Sequence, residues 1–402
     1  MRPFEGTLPL AEARAIIDGA IAPIDRIERV RIQDANGRVL ARDVAADADV
    51  PPFSRAAMDG YAVRAAETAG ASRQSPVTLR CVGQTFTGQV SARSVGPGEC
   101  IEVATGAPLP PGADAVVIVE DTEAADATAI RVFISVQPRQ NVGRQGADIS
   151  RGQTVLRAGT FLNAARAGAL SALGQTTVEV YAKPRVAILS TGDEIVDPGV
   201  PLAPGQIYDI NKVTLSAVVS DHGGIPVPFR TAVDTIEDLS SAVDGCLAED
   251  LLVFSGGSSV GRRDLILDVI VAKGDVLFHG IAVKPGKPTA FGRIGRKLVF
   301  GMPGYPTSCL SNAYILLAPA LRRIARLPAQ IARTLTLPLG ARISSVTDRH
   351  QFYTVRVENG EAVPAFKASG DITSMAQADG YIEVPVGVEA VEKNEMVEVT
   401  LF

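Results

Sequence analysis

The chain of 402 residues has the composition of an ordinary globular protein, with 46% hydrophobic and 21% charged residues. Because this length exceeds what a single hydrophobic core holds, we expect two to four domains. The formal net charge of −5 argues against broad nucleic-acid binding, which needs a basic face, but leaves room for a local cationic pocket.

Cysteines and histidines give no sign of a zinc site or a disulfide framework. The four cysteines lie far apart with no C-x-x-C pair, and the three histidines are equally scattered. Proline and charge interrupt the first residues, unlike a signal peptide, and no apolar run reaches the roughly 18 to 20 residues of a membrane span. We therefore expect a reduced, cytoplasmic protein with neither nucleic acid nor membrane as a partner.

The first half of the chain predicts helices on either side of a β-rich region. Apolar residues at helical spacing predict a helix over 9–22. Short β-prone runs between glycine and proline turns, such as VTLRCVG and AVVIVED, predict a β-rich domain over 46–147. The segment NAARAGALSAL, 163–173, predicts a second helix. We assign 1–45 and 148–180 to one discontinuous linker domain into which the β-rich domain is inserted.

The second half begins with alternating strand and helix patterns over 181–328. Unbroken apolar runs predict strands at RVAILS, DLLVFS and KLVFGMPG, and helical patterns occupy YDINKVTLSAVVSDHGG, DTIEDLSSAVDGCLA and SCLSNAYILLAPALRRIARL. This alternation implies a parallel sheet with helices on both faces, a three-layer α/β domain. From 329 to 402 the runs are again β-prone, which predicts a small C-terminal β domain. The predicted fold class is therefore multidomain, α/β plus β.

Unusual loops follow the strands of the α/β domain, where ligands of such folds bind. They are STGDE (190–194), SGGSSVGRRD (255–264) and GMPGYPTS (301–308). A Gly/Ser loop before a helix suits a phosphate or oxyanion, although a tight strand-to-helix connection explains that loop alone equally well. Lys284 and Lys287, in the proline-stiffened segment AVKPGKPTAFG, favour the anion site.

Carboxylates recur near these loops and suggest bound Mg²⁺, which uses a few carboxylates together with ligand oxygens. They are Asp193, Glu194 and Asp264, with Asp59 and Asp148 outside the domain. Each has a structural alternative, such as a turn acid or the first turn of a helix. For Asp234 we favour the structural one, a helix N-cap with Glu237 at the capping-box position.

Asp59 lies in the stiff segment PPFSRAAMDGYAV, between an apolar methionine and a Gly-Tyr pair. The simplest interpretation is a surface turn closed by its own hydrogen-bonded aspartate. The alternative is a carboxylate that a rigid loop presents to a ligand.

The ordered set of these segments resembles the MoeA family of molybdopterin molybdenumtransferases, which is related to the C-terminal E domain of gephyrin. The segments are PPFSRAAMDGYAV, ATGAPLPPGADAVV, STGDEI, GQIYDINK, SGGSSVGRRD, VKPGKPTAFG and GMPGYPTS. The resemblance implies an enzyme that inserts molybdate into molybdopterin adenylate and releases AMP. It implies an elongated homodimer whose active clefts draw on both subunits, with 181–328 as the molybdopterin-binding domain and a Mg²⁺ ion at the site.

The resemblance also carries site residues onto this sequence. The implied catalytic residues are Asp59, Asp148, Glu194, Asp264 and Lys284, of which Asp59, Glu194 and Asp264 would hold the metal. The implied substrate-binding residues are Thr105, Thr191, Gly192, Asp193, Asp234, Ser255, Gly256, Gly257, Ser258, Ser259, Gly261, Pro285, Gly286, Lys287, Pro303, Gly304, Pro306, Ser308 and Ser374.

The chain departs from the family pattern at three places, Ala147, Gly280 and Tyr305, where the family often has an acid, a basic residue and an asparagine. Three alternatives stay open. One is that the chain is a molybdopterin adenylyltransferase, an enzyme that resembles residues 181–328 alone. If the chain is not that enzyme, we expect a molybdopterin adenylyltransferase as its upstream partner. The others are a tungstate-inserting homologue and a non-catalytic scaffold like gephyrin.

Overall fold

The computed structural model of the chain describes residues 6–256 and 265–402. Their contacts group into two compact units. Among the described residues, unit 1 comprises 6–28, 37–39, 180–256 and 265–402, and unit 2 comprises 29–36 and 40–179. Each unit is described by itself.

Helices in the described residues are short. They are α1 (Leu10–Ala20), α2 (Ala164–Ala172), α3 (Asn211–Asp221), α4 (Ile236–Cys246), α5 (Leu265–Lys273), α6 (Pro306–Asn312), α7 (Ala318–Ile324) and α8 (Thr373–Ala376). Within the described ranges, none has the length and apolar character needed to cross a bilayer.

Strands fall into two halves of the chain. Those up to residue 181 are β1 (Ile27–Arg31), β2 (Val44–Ala45), β3 (Arg55–Ala56), β4 (Gly60–Val63), β5 (Val77–Thr85), β6 (Glu99–Val103), β7 (Ala115–Ile118), β8 (Thr122–Ala124), β9 (Ala129–Val132), β10 (Val142–Gly143), β11 (Thr154–Leu156) and β12 (Thr177–Tyr181). The later ones are β13 (Arg185–Ser190), β14 (Ile195–Val196), β15 (Ile207–Tyr208), β16 (Ile225–Pro228), β17 (Leu251–Ser255), β18 (Asp275–His279), β19 (Val283–Lys284), β20 (Ala290–Ile294), β21 (Lys297–Met302), β22 (Thr334–Pro338), β23 (Ile343–Ser344), β24 (His350–Glu358), β25 (Glu361–Pro364), β26 (Gly380–Val384), β27 (Ala390–Val391) and β28 (Met396–Leu401).

Unit 2 contains a sheet of order β7-β4-β6-β5-β9-β8, in which only β5 and β6 pair in parallel. Both of its faces are covered. Ala62 and Ile101 belong to the core on one face, while Val63 and Cys100 belong to the core on the other. This agrees with the period-two geometry of strands, and the predicted β-rich character of this part of the chain is confirmed.

Unit 1 contains a sheet of order β16-β13-β17-β21-β20-β18. The first four strands pair in parallel, as predicted, but β20 runs antiparallel to both of its neighbours. A two-residue turn, Gly295 and Arg296, joins β20 to β21, and a connection that short makes only an antiparallel hairpin. The sheet is therefore mixed rather than wholly parallel.

Helices cover both faces of this sheet, which confirms the predicted three-layer architecture. Along β13, Val186 and Ile188 lie in the core formed with α1, α3 and the α6–α7 region. The alternate residues Ala187 and Leu189 lie in the core formed with α4 and α5. Helix α1 thus packs within unit 1, and the four domain boundaries given above stay a prediction.

A second sheet of unit 1 has the order β19-β24-β26-β28-β22, with β25 paired to β24. Its presence confirms the predicted C-terminal β region. Strand β19 comes from the proline-rich lysine segment, where no strand was predicted, and it pairs in parallel with β24, Lys284 opposite Gln351. The lysine segment is therefore fixed along the edge of the C-terminal sheet.

The long helix predicted over 308–327 is instead interrupted. Helices α6 and α7 flank a π-helical stretch, Ala313–Leu317. Pro319, in the first turn of α7, offers no N–H to the preceding turn, and a π segment accommodates that loss.

The predicted N-cap of α4 is wrong by one residue. Thr235, not Asp234, has the extended backbone of an N-cap, and its hydroxyl accepts a hydrogen bond from the Asp238 amide at 3.2 Å. Asp238 in turn accepts from the Val233 amide at 2.8 Å. The Asp234 amide donates to Asp193 Oδ1 at 3.1 Å. Asp234 therefore does not cap α4.

Thr235→Ala should lower the free energy of unfolding by about 1 kcal/mol, because the first turn of α4 loses its capping acceptor. The matched variant Asp234→Ala should leave stability within about 0.5 kcal/mol of the wild type. Urea unfolding of both variants measures the difference. A larger loss in Asp234→Ala than in Thr235→Ala would restore Asp234 as the cap.

Candidate active site

Three strand-end loops of unit 1 meet at one edge of its sheet. In register, Ser190 lies opposite Ser255, and Ser255 opposite Met302. The Thr191 amide donates to the Ser255 carbonyl at 2.9 Å. A Cβ added to Gly256, where φ is +105°, would lie 2.2 Å from the Thr191 carbonyl oxygen, so only glycine fits there.

The third loop joins the same edge at Gly304. A Cβ on Gly304 would lie 3.5 Å from the Gly256 Cα atom. The backbones of two glycines thus approach each other at the end of the sheet without side chains between them, as in loops that bind phosphate through backbone N–H groups. The predicted residues that would complete the Gly/Ser loop lie outside the described residues. They are Gly257, Ser258, Ser259, Gly261 and Asp264.

Three carboxylates cluster beside this edge. Asp193 Oδ1 accepts from the Asp234 amide, and a Cβ on Gly192 would lie 2.8 Å from Glu194 Oε2. Asp234 is exposed, but partial desolvation of its carboxyl group raises its pKa above the ordinary value, and the negative charges of Asp193 and Glu194 raise it further, whereas the Thr191 hydroxyl acts in the opposite direction. The cluster therefore concentrates negative charge that a cation would neutralise.

The predicted metal ligands fall in three separate parts of the chain. Glu194 lies in unit 1, Asp59 lies in unit 2, and Asp264 falls outside the described residues. Over 6–256 and 265–402, no group of three or more His, Cys, Asp or Glu side chains is arranged to hold a metal ion. The metal assignment stays a prediction.

Buried hydrogen bonds fix the turn that carries the two lysines. Asn312 Nδ2 donates to the Gly286 carbonyl at 2.8 Å and to Thr289 Oγ1 at 2.5 Å. Thr289 Oγ1 donates to the same carbonyl at 2.9 Å. Pro285 is buried with Gly286, while Lys284 and Lys287 are half-buried. The two lysines therefore belong to a turn that buried hydrogen bonds hold in place.

The predicted residues around α6 have different exposures. Gly304 is exposed and Pro306 half-buried, whereas Pro303 and Ser308 are buried. Ser374, in α8, is fully buried, and its Oγ accepts from the Lys367 amide at 3.0 Å. Of this set, only Gly304 and Pro306 present surface to a ligand, and the Ser374 hydroxyl supports the backbone before α8.

In unit 2, Asp59 and Thr105 are in direct contact. Asp59 Oδ1 accepts from the Thr105 amide at 2.6 Å and from its hydroxyl at 2.9 Å. These two bonds, the amide first, hold the pKa of Asp59 below its ordinary value. Asp59 is thus an exposed, hydrogen-bonded aspartate, as the simple interpretation has it, but its partner lies 46 residues away in sequence rather than in its own turn.

Asp148 is hydrogen-bonded through its backbone to the start of the segment that carries Asp59. Its amide donates to the Val50 carbonyl at 3.1 Å, and the Gly146 amide donates to the Pro51 carbonyl at 3.0 Å. The Asp148 side chain is exposed. The structure thus ties the two predicted acidic segments of unit 2 together through their backbones.

Family models match most of the chain. Residues 8–174 match "MoeA N-terminal region (domain I and II)", 187–323 match "Probable molybdopterin binding domain", and 336–402 match "MoeA C-terminal region (domain IV)". Molybdopterin molybdenumtransferase 2 of Mycobacterium tuberculosis is 34% identical over 92% of this chain and 94% of its own length. The molybdopterin molybdenumtransferase of Bacillus subtilis is 31% identical over 93% of this chain and 90% of its own.

A solved structure gives the same result. The crystal structure of a molybdopterin biosynthesis MoeA protein from Pyrococcus horikoshii is 40% identical, with a TM-score of 0.86 over 98% of this chain and 99% of that one. The chain belongs to the MoeA family. It is therefore a transferase with a role in molybdenum cofactor biosynthesis.

Two polar residues of this MoeA chain were not singled out from sequence. Asn211 Nδ2 donates to Ser255 Oγ at 2.9 Å and to the Gly304 carbonyl at 2.8 Å. Lys212 Nζ donates to Asp197 Oδ1 at 2.7 Å. The available signal was the run Asp-Ile-Asn-Lys at the start of α3, which places polar groups where the helix meets the strand-end loops.

The departures from the MoeA pattern have separate environments. Gly280 has a φ of +91°, a conformation that disfavours the basic residue frequent in the family. Tyr305 is 68% exposed, and Ala147 is also exposed. Of the three departures from the family pattern, only the glycine at position 280 is explained by its backbone conformation.

Gly286→Ala should lower the free energy of unfolding by on the order of 2 to 3 kcal/mol. A Cβ there would lie 2.3 Å from Asn312 Nδ2, and φ is +110°. Gly295→Ala is the control, because its φ of +59° is strained but its Cβ would meet no atom within 4 Å. Thermal unfolding compares the two, and equal losses would mean that Asn312 does not hold the lysine turn.

Proposed function

We propose that this MoeA chain is a Mg²⁺-dependent molybdopterin molybdenumtransferase that inserts molybdate into molybdopterin adenylate and releases AMP. The observation that carries the proposal is the edge of the unit 1 sheet, where the bare backbones of Gly256 and Gly304 lie beside the carboxylate cluster. The names of the curated relatives support the same activity.

The chemistry of the substrates fits this edge. Molybdopterin adenylate carries a pyrophosphate link, and glycine backbones allow its oxygens to approach N–H donors closely. Molybdate is a dianion, which a pair of lysines on a rigid turn attracts at little cost in side-chain entropy. We therefore assign Lys284 and Lys287 to oxyanion binding.

The acids fit Mg²⁺, because carboxylate oxygens are the hard donors that this ion prefers. Desolvation of the carboxyl group, followed by the negative charges of Asp193 and Glu194, raises the pKa of Asp234, so the three acids lie within reach of one another's charge. Glu194, with Asp59 and Asp264, would hold the ion. When bound, Mg²⁺ neutralises phosphate charge and polarises the bond that breaks. Asp59 contributes a carboxylate that Thr105 keeps ionised.

We further propose a cytoplasmic homodimer with composite active sites, in which Asp59 of one subunit acts at the unit 1 edge of the other. A molybdopterin adenylyltransferase would supply the substrate. The alternative that this chain is itself that enzyme is disfavoured, since family models match 8–174 and 336–402 in addition to the molybdopterin-binding region.

AMP release from molybdopterin adenylate should require both an oxyanion and a divalent cation. The divalent cation neutralises the negative charge of the phosphate groups, and the oxyanion is the second substrate. Omission of either should therefore reduce the rate of AMP release by about tenfold or more. The assay follows AMP by chromatography with molybdate, tungstate or no oxyanion, each with and without chelator. Release that ignores chelator and oxyanion alike would refute the proposed function, and no release under any condition would favour the scaffold.

Asp59→Asn should fold normally and lose on the order of 10²-fold or more in turnover. The asparagine oxygen still accepts from Thr105, so the fold is kept while the charge is lost. Asp126→Asn is the matched control, because Asp126 Oδ1 accepts from the Thr128 amide and hydroxyl in the same way, at 2.7 and 3.0 Å. Near-normal turnover of Asp59→Asn would return Asp59 to a structural role.

Subunit mixing extends this test to the composite site. Heterodimers of Asp59→Ala and Glu194→Ala subunits should recover about a quarter to a half of wild-type turnover, since one site per dimer would be intact. Each variant alone should stay inactive. If heterodimers form and remain inactive, the two residues do not act across an interface.

A further inference from the structure

The first turn of α3 connects the ends of two neighbouring strands. Asn211 is 7% exposed, and its Nδ2 donates to Ser255 Oγ and to the Gly304 carbonyl at 2.9 and 2.8 Å. Ser255 ends β17, and Gly304 follows β21, the next strand of the sheet. One side-chain amide therefore bridges the two loops whose glycine backbones face each other.

The orientation of this amide is set by its surroundings. Asn211 Oδ1 is buried and has no hydrogen-bond partner among the described residues. A flipped amide would instead place Oδ1 against the Gly304 carbonyl, bringing two acceptors together. The Nδ2 group must therefore face the two loops. Burying Oδ1 without a partner costs free energy, which the two hydrogen bonds donated by Nδ2 offset.

The next residue of the turn holds two other segments. Lys212 Nζ donates to Asp197 Oδ1 at 2.7 Å and to Thr231 Oγ1 at 3.1 Å. Asp197 follows β14, and Thr231 lies beyond β16. Asp209 Oδ1 accepts from the Lys212 amide at 2.9 Å and anchors the turn. The turn is therefore fixed from several sides and cannot shift to follow a displaced loop.

We propose that Asn211 is a positioning residue that fixes the separation between the Ser255–Gly256 and Pro303–Gly304 loops, and thereby the width of the cradle that receives the phosphate groups of molybdopterin adenylate. This inference rests on the proposed function. Hydrogen bonds to phosphate from backbone N–H groups depend on their spacing, so a shift of about 1 Å between the loops weakens binding. The Gly256 and Gly304 backbones carry no side chains that could compensate for such a shift.

The experiment compares Asn211→Ala and Asn211→Asp with Ser216→Ala. The alanine variant loses both donors, while the aspartate variant keeps the volume and replaces the donor facing Gly304 by an oxygen. Ser216, one turn further along α3, donates only within the helix, to the Lys212 carbonyl at 2.6 Å, and is the matched control. Steady-state turnover is measured well below the unfolding midpoint of each variant, and AMP binding is measured by calorimetry.

Both Asn211 variants should raise the KM for molybdopterin adenylate and the Kd for AMP about tenfold or more, with kcat within about threefold of wild type. Ser216→Ala should match the wild type. A wild-type KM in both Asn211 variants, with kcat lowered in proportion to the folded fraction, assigns Asn211 a purely structural role and overturns the inference. Loss of folding in both variants overturns it as well. Wild-type protein without AMP release overturns the proposed function and this inference with it.

Discussion

The close approach of backbones at the end of the unit 1 sheet is the constraint on which the site depends. Parallel pairing in register brings the last residues of β13, β17 and β21 side by side. At Gly256 the chain can turn only because this residue has no Cβ, since a Cβ atom there would lie 2.2 Å from the Thr191 carbonyl oxygen. The sheet thereby exposes polar backbone at one edge, to which the Asn211 side chain is hydrogen-bonded through Ser255 and Gly304.

Two aspartates illustrate how environment separates roles for one residue type. In unit 1, desolvation and neighbouring acids raise the pKa of Asp234 above its ordinary value. In unit 2, bonds from Thr105 lower the pKa of Asp59 below its ordinary value. The two environments therefore shift the same residue type in opposite directions, toward the protonated form in unit 1 and toward the ionised form in unit 2.

Sequence reasoning succeeded where the signal is local. Unbroken apolar runs located β13 and β17, because strands buried on both faces need apolar residues throughout. It failed where two local signals compete, as at Asp234 and Thr235, either of which is a good capping residue. It also could not find the role of Asn211, whose partners lie 44 and 93 residues away in sequence. Contacts of that separation are set by the register of the sheet rather than by any neighbouring residue.

Asp59 shows most clearly why a local pattern underdetermines function. Asp126 makes the same pair of bonds as Asp59, to the amide and hydroxyl of a threonine, but its threonine is two residues away and closes a turn. The threonine of Asp59 stands just after β6, a neighbour of the strand that follows Asp59. A bond across the sheet does not shape a local turn, but it does fix a charge at the end of two paired strands. Both hydrogen bonds end on Asp59 Oδ1, and within the described residues Oδ2 takes part in none.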